Sequence, residues 1–149
     1  VSLLHGGAQE NNHRAGTLNV PLIVGLGKAC EISKTEMWDN NTEVSKLRAY
    51  FEHQILDIEG LRINGSTKNR LYNTSNITFP GSLNIKPLLS KYAFSSGSAC
   101  STGTSEPSHV LKAMGLANDD IKNSYLFSFG KFNTHEEVKQ LTNHLLNGF

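Results

Sequence analysis

The sequence predicts an α+β fold: a small sheet covered by helices and preceded by a long connecting helical segment. Three stretches carry that expectation. Val44, Leu47, Phe51, Ile55 and Ile58 recur at helical spacing and form one apolar stripe. Thr74–Phe79 alternates in the register of a half-buried strand, with Ile77 and Phe79 on one face. Thr134 and Glu137 form a T-x-x-E capping box ahead of Val138, Leu141 and Leu145, which line one face of a closing helix.

In chain order, residues 1–20 show no sustained period. A glycine pair at Gly6-Gly7, a polar run and Arg14-Ala15-Gly16-Thr17 read as a loop that approaches something closely, because glycine permits backbone contact that a side chain blocks. Asn19 is the expected cap of a helix with Pro21 in its first turn. That helix runs to about Lys34, with Ile23, Val24, Leu26, Cys30 and Ile32 as apolar members, so Cys30 is expected to be a core thiol. Glu36–Thr42, which contains Asp39-Asn40-Asn41, is expected to be a kink or short break before the second helix starts at Glu43 and stops at Gly60.

Leu61–Asn64 and Thr74–Phe79 are expected strands separated by the turn-rich 65–70 segment, and Pro80-Gly81 closes the second. Ile85–Lys91 reads as a short helix and Tyr92-Ala93-Phe94 as a brief strand. Pro107 can open a helix carrying Val110, Leu111 and Met114, with Gly115 as its stop. Asn118-Asp119-Asp120 caps a further turn, Ser124–Phe129 is a strand, and Gly148 ends the last helix. No internal repeat and no dividing linker is visible, so one compact domain with appendages is expected.

Composition narrows the function classes. With 149 residues, 38% hydrophobic and 18% charged content and a formal net charge of +1, the chain resembles an ordinary globular domain without strong electrostatic steering. Neither nucleic acid nor an anionic membrane is indicated as a partner. No apolar run approaches the ~20 residues needed to span a bilayer, and no leader opens the chain, so a cytoplasmic location is expected. The chain begins at Val1 rather than methionine, which points to a piece of something longer. Two distant cysteines, Cys30 and Cys100, do not make a disulfide framework or a zinc site. Four Asn-x-Ser/Thr matches, beginning at Asn40, Asn64, Asn73 and Asn76, read as chance in an Asn-rich chain.

The stretch that carries chemistry is Ser95–Pro107, SSGSACSTGTSEP, in which Cys100 sits among serine, threonine and glycine. Such a run buries too little apolar surface to offset its ordering entropy, so the thiol is expected to be presented rather than packed. His109 lies nine residues on, and no rigid Cys–His pairing of the cysteine-protease kind is evident. This suits a sulfur that travels between two places.

Three segments together carry a resemblance. SSGSACSTGTSEPSHVLKAMGL (95–116), GGAQENNHRAGTLNVP (6–21) and SFGKFNTHEEV (128–138) resemble, in the same order and at similar spacing, motifs of cysteine desulfurases of the iron–sulfur-assembly type, a branch of the class V aminotransferase group. The resemblance implies the C-terminal portion of a fold-type I, pyridoxal phosphate (PLP)-dependent enzyme. Residues 1–20 would be the tail end of the large domain, and 21–149 the connecting helices and small domain. It implies Cys100 as the nucleophile that takes sulfur from L-cysteine and becomes a persulfide, and Thr17 as a contact to the PLP phosphate of a neighbouring subunit, hence a homodimer. Arg14 could support that phosphate site or serve the loop structurally. An iron–sulfur scaffold or another sulfur-acceptor protein is the implied partner.

Three departures stand out. The Schiff-base lysine of the family, in a Ser-x-His-Lys segment, is not in this chain. Leu126 occupies the position of an arginine that pairs with the substrate carboxylate, and Asn11-Asn12 replaces the usual Arg or Lys followed by Gly. A non-catalytic sulfur carrier or interaction module is therefore the alternative expectation.

Overall fold

A computed structural model of the chain describes residues 1–96 and 107–147. They divide into two compact units, Val1–Trp38 and Asp39–Phe149. One helix, α2 (Val20–Ile55), contributes to both.

The first unit is a loop followed by the opening half of α2. Asn19 caps the helix as expected: its side-chain oxygen accepts from Leu22 N at 3.3 Å, and its carbonyl accepts from Ile23 N at 3.0 Å. The expected interruption at Glu36–Thr42 is absent, and α2 runs through it without a break. Asp, Asn and Thr there are only mildly unfavourable to helix, by about 0.7 kcal/mol or less each. No proline or glycine lies between Ala29 and Ile58 to stop propagation, and a break would forfeit ladder bonds on both sides. Ser45 Oγ donates to Asn41 Oδ1 at 3.1 Å, and Lys46 pairs with Glu43 at 2.7 Å.

In the second unit the stripe on α2 meets a sheet. Among the described residues the sheet has four strands: β1 (Arg62–Ile63), β2 (Thr74–Thr78), β3 (Ser95–Ser96) and β4 (Ser124–Ser128), in the order β1-β2-β4-β3 with every neighbouring pair antiparallel. The strand expected at Tyr92–Phe94 falls later, at Ser95–Ser96. Phe94 is spent on packing, stacked on Phe127 at 4.9 Å between ring centroids.

Phe51 and Ile55 of α2 are fully buried with Ile77 of β2, beside Tyr125 and Phe127 of β4. Phe51 lies 4.7 Å from Phe127 and 5.4 Å from Phe129, ring to ring. Helix α5 (His135–Asn147) closes the core with Val138, Leu141 and Leu145. Its capping box forms in both directions: Thr134 N donates to Glu137 Oε2 at 2.8 Å, and Glu137 N donates to Thr134 Oγ1 at 3.2 Å. Helix α2 ends at Ile55, short of the expected stop at Gly60; Gly60 turns the chain beyond it at φ +83°, where a side chain would also meet Pro80 Cβ at 3.3 Å.

Shorter elements complete the unit. A 3-10 helix spans Lys86–Ser90, where the sequence predicts a short helix. Helix α3 (His109–Ala113) is capped by Ser108, whose Oγ accepts from Leu111 N at 3.4 Å, so Pro107 lies just before the cap instead of inside the helix. Helix α4 (Asn118–Lys122) follows Gly115, which turns at φ +88°. No helix among the described residues is long and apolar enough to cross a membrane.

Candidate functional site

Cys100 lies outside the described residues, but both ends of its segment are fixed. On the entering side, Ser95 pairs with Leu126 and Ser96 with Tyr125. The preceding Phe94 is wedged against Phe127 and Tyr125. On the leaving side, Ser108 is buried and caps α3, and His109 is exposed at the first helical position. A sheet strand and a capped helix therefore flank the cysteine segment in the chain.

Leu126 sits in the middle of β4, between Asn76 of β2 and Ser95 of β3. Because strand side chains alternate, it lies on the face opposite Tyr125 and Phe127, and it is 36% exposed. Its neighbours on that face are hydroxyls and amides: Thr74, Asn76 and Ser128. Leucine adds no donor there. On the other side of the sheet, a cleft of about 150 Å³ is lined by Phe94, Phe127, Phe129, Val138 and Leu141, with Tyr92 at its edge. The Tyr92 hydroxyl is 2.7 Å from His144 Nδ1.

Thr17 and Arg14 belong to the first unit. The loop is shaped by a one-turn helix, α1 (Gln9–Asn12), whose Glu10, Asn11 and Asn12 have φ of 52°, 55° and 66°. This is left-handed backbone, which costs an ordinary residue roughly 1–2 kcal/mol and asparagine least after glycine. Asn11-Asn12, a departure from the family pattern in sequence, thus supplies the side chains best suited to that turn. The turn is tied down by Gly16 N, which donates to Gln9 Oε1 at 3.1 Å, and by Ala15 N, which donates to Leu4 O at 3.0 Å. Gly6 lies where a Cβ would come within 3.0 Å of Ala15 Cβ. Arg14 is half-buried with its guanidinium against Gly16, and Thr17 is exposed.

Cys30 is a correction to the sequence reading: it is exposed, not a core thiol. Its neighbours along α2 are equally open. Leu22, Ile23, Val24 and Leu26 are each more than half exposed, and the first buried residue of the chain is Val44. Apolar content, the signal for burial, is present here without the packing partner that would produce it.

Two polar constellations were not read from the sequence. Glu52, on the buried side of α2, takes a two-pronged contact from Arg70 at 2.6 and 2.7 Å and a third from Arg48 at 2.8 Å. Burial pushes the Glu52 carboxyl up, and the Arg70 hydrogen bonds with the nearby Arg48 charge outweigh it, so the group sits below its ordinary value. The Arg48–Glu52 spacing was visible as an i,i+4 pair; Arg70 is eighteen residues away and reaches it only through the fold. The second is a cluster of Asn64, Asn76, Thr78 and Ser124 on the face of the sheet opposite Tyr125 and Phe127.

A class V aminotransferase family model matches residues 2–141. The chain belongs to the class V aminotransferase family. Within that family it is similar to cysteine desulfurases: it is 43% identical over 143 residues to cysteine desulfurase IscS of Methanosarcina thermophila, covering 93% of this chain and 35% of that protein. It is 40% identical over 137 residues to the IscS of Tolumonas auensis, covering 91% and 34%. Among solved structures, a NifS-like protein superposes with a TM-score of 0.79 at 32% identity, covering 98% of this chain and 38% of the other. The NifS-like protein of Rickettsia africae gives 0.79 at 28%, covering 96% and 38%. The chain thus spans about a third of the length of the relatives it matches, and the α+β architecture is that of the corresponding part of the class V aminotransferase fold.

Proposed function

We propose that this chain is the C-terminal part of a PLP-dependent cysteine desulfurase and that Cys100 carries sulfur as a persulfide. The observation that carries this reading is the similarity to desulfurases along nearly the whole chain, coupled to coverage of only a third of their length. The open surface of Val1–Trp38 supports it. A helix with apolar residues on several faces and none buried is one that another stretch of protein covers. In this reading that cover is the lysine-bearing, PLP-binding portion, and the assembly is a cytoplasmic homodimer.

When bound, PLP supplies an electron sink for the carbon skeleton of L-cysteine. The residues of this chain do the rest. Thr17 and Arg14 hold the phosphate of the neighbouring subunit's cofactor, by hydroxyl and guanidinium donation. The Cys100 thiolate attacks the sulfur of the substrate: a sulfur–sulfur bond forms, the carbon–sulfur bond breaks with its electron pair left on carbon, and protonation there gives L-alanine. The outer sulfur of the Cys100 persulfide then passes to an iron–sulfur scaffold or another acceptor protein.

The test is to co-express the chain with a PLP-binding portion of a related desulfurase, then measure alanine and sulfide release and map the persulfide by mass spectrometry. Sulfur on Cys100, lost in Cys100→Ser, is expected. Turnover that survives Cys100→Ser would overturn the assignment. Leu126 favours a second reading, a sulfur carrier or interaction module loaded by another protein, because a leucine cannot pair with a substrate carboxylate. That reading predicts loading of Cys100 from a sulfane-sulfur donor with no alanine production in any assembly.

A further inference from the structure

Asn64 directly follows the edge strand β1 and precedes Gly65, which is exposed at φ +83°. An Asn-Gly pair is chemically unstable, because the glycine nitrogen meets no side chain on its way to the asparagine amide. Its nitrogen attacks Asn64 Cγ, a carbon–nitrogen bond forms, the Cγ–Nδ2 bond breaks and ammonia leaves. Water then opens the resulting ring at either carbonyl, giving aspartate or isoaspartate. No oxidant, metal or enzyme is needed.

What the fold adds is a restraint on that side chain. Asn64 Nδ2 lies 2.6 Å from Asn76 Oδ1, 2.9 Å from Thr78 Oγ1 and 3.2 Å from Ser124 Oγ. Thr78 Oγ1 is also 3.0 Å from Asn64 Oδ1 and 2.8 Å from Ser124 Oγ, and Ser124 Oγ donates to Asp120 O at 2.8 Å. Asn64 N donates to Asn76 O at 2.8 Å. Thr78 and Ser124 are both buried. The carboxamide nitrogen is therefore held by the cluster, its oxygen shares the single Thr78 hydroxyl hydrogen with Ser124 Oγ, and the backbone nitrogen of the same residue is bonded to Asn76 O.

We propose that Asn64 is a self-modification site whose conversion to aspartate or isoaspartate is held back by the Asn76–Thr78–Ser124 cluster, so that loosening of the β1 edge exposes it to reaction. For attack, the carboxamide must leave at least part of this cluster, and each buried group left unpaired slows the step. Isoaspartate would also insert an extra carbon into the backbone at Asn64, disturbing the hydrogen bond to Asn76 O and with it the pairing of Arg62 with Thr78 and Ile63 with Ile77.

The test incubates the whole chain in mildly alkaline buffer, folded and in denaturant, and follows the peptide spanning Asn64-Gly65 by mass spectrometry, with chromatographic separation of the aspartate and isoaspartate products. Conversion in the folded chain should be at least about tenfold slower than in the unfolded chain. Thr78→Val, which keeps the shape and removes the hydroxyl, should recover most of that difference. Leu145→Ala, destabilised in the core with the cluster intact, should not. Equal rates in folded and unfolded chain would overturn the proposal, as would an acceleration in Leu145→Ala matching that in Thr78→Val, since global unfolding would then be the only control.

Discussion

Ser95 and Leu126 face each other across the β3–β4 ladder, so the strand that leads toward the cysteine segment is paired with the residue that, in the proposed desulfurase reading, takes the place of a carboxylate-binding arginine. The pairing puts Leu126 on the open face of β4 between Ser95 and Asn76, with 36% of its surface exposed. An arginine there would extend from the sheet without displacing core residues. In an assembly reconstituted with a PLP-binding portion, Leu126→Arg is expected to raise kcat/KM for L-cysteine by about tenfold, mainly through KM, by restoring a charge-assisted pair. Unchanged kinetics in an active assembly would remove Leu126 from the substrate site.

Glu52 is the electrostatic centre of the second unit. Glu52→Gln leaves Arg48 and Arg70 facing a neutral group in a mostly buried position and is expected to lower stability by about 3 kcal/mol, read from urea unfolding. The pH dependence has a definite sign. The folded-state value is lowered, so the pair's contribution is complete above the ordinary carboxylate range and is lost as pH falls through the depressed folded value. The wild-type chain should therefore lose stability on acidification more steeply than Glu52→Gln. Parallel pH profiles would show that the pair contributes no linkage.

The capping box on α5 makes a smaller and more local prediction. Thr134→Ala removes the acceptor for Glu137 N and is expected to cost about 1 kcal/mol, with amide exchange rising in the first turn of α5 and little elsewhere. Thr134→Ser should restore most of it. A loss spread evenly over the unit would point to packing instead of capping.

Cys30 offers a direct probe of what covers α2. In the isolated chain it is exposed and should react with a thiol reagent without denaturant. On assembly with a PLP-binding portion, labelling of Cys30 should fall by at least about tenfold if that portion covers the opening half of the helix. Labelling that is equally fast in an assembly with desulfurase activity would place the cover on another face of α2.

Local chemistry was legible wherever a short stretch is sufficient to define it. The Asn19 cap, the stripe from Val44 to Ile55, the Thr134–Glu137 box and the glycine stop at Gly115 each rest on residues within a few positions of one another. The three motifs also pointed to the family that the comparisons show. The continuity of α2 was not legible, because Asp39-Asn40-Asn41 reads as a break until the cooperative ladder on either side is counted. The exposure of Cys30 was missed because apolar neighbours signal burial but cannot say what does the burying.

By itself, then, the sequence determined the class of fold, the caps and stops of its elements, and the kinship with cysteine desulfurases. Tertiary structure alone decided the strand order β1-β2-β4-β3, the meeting of Arg70 with Glu52, the hydroxyl–amide cluster around Asn64 and the pairing of Ser95 with Leu126. The physical reason is range. Caps and periodic stripes are set by neighbours along the chain, whereas these contacts join residues 12 to 60 positions apart and form only when the core has brought their strands and helices together.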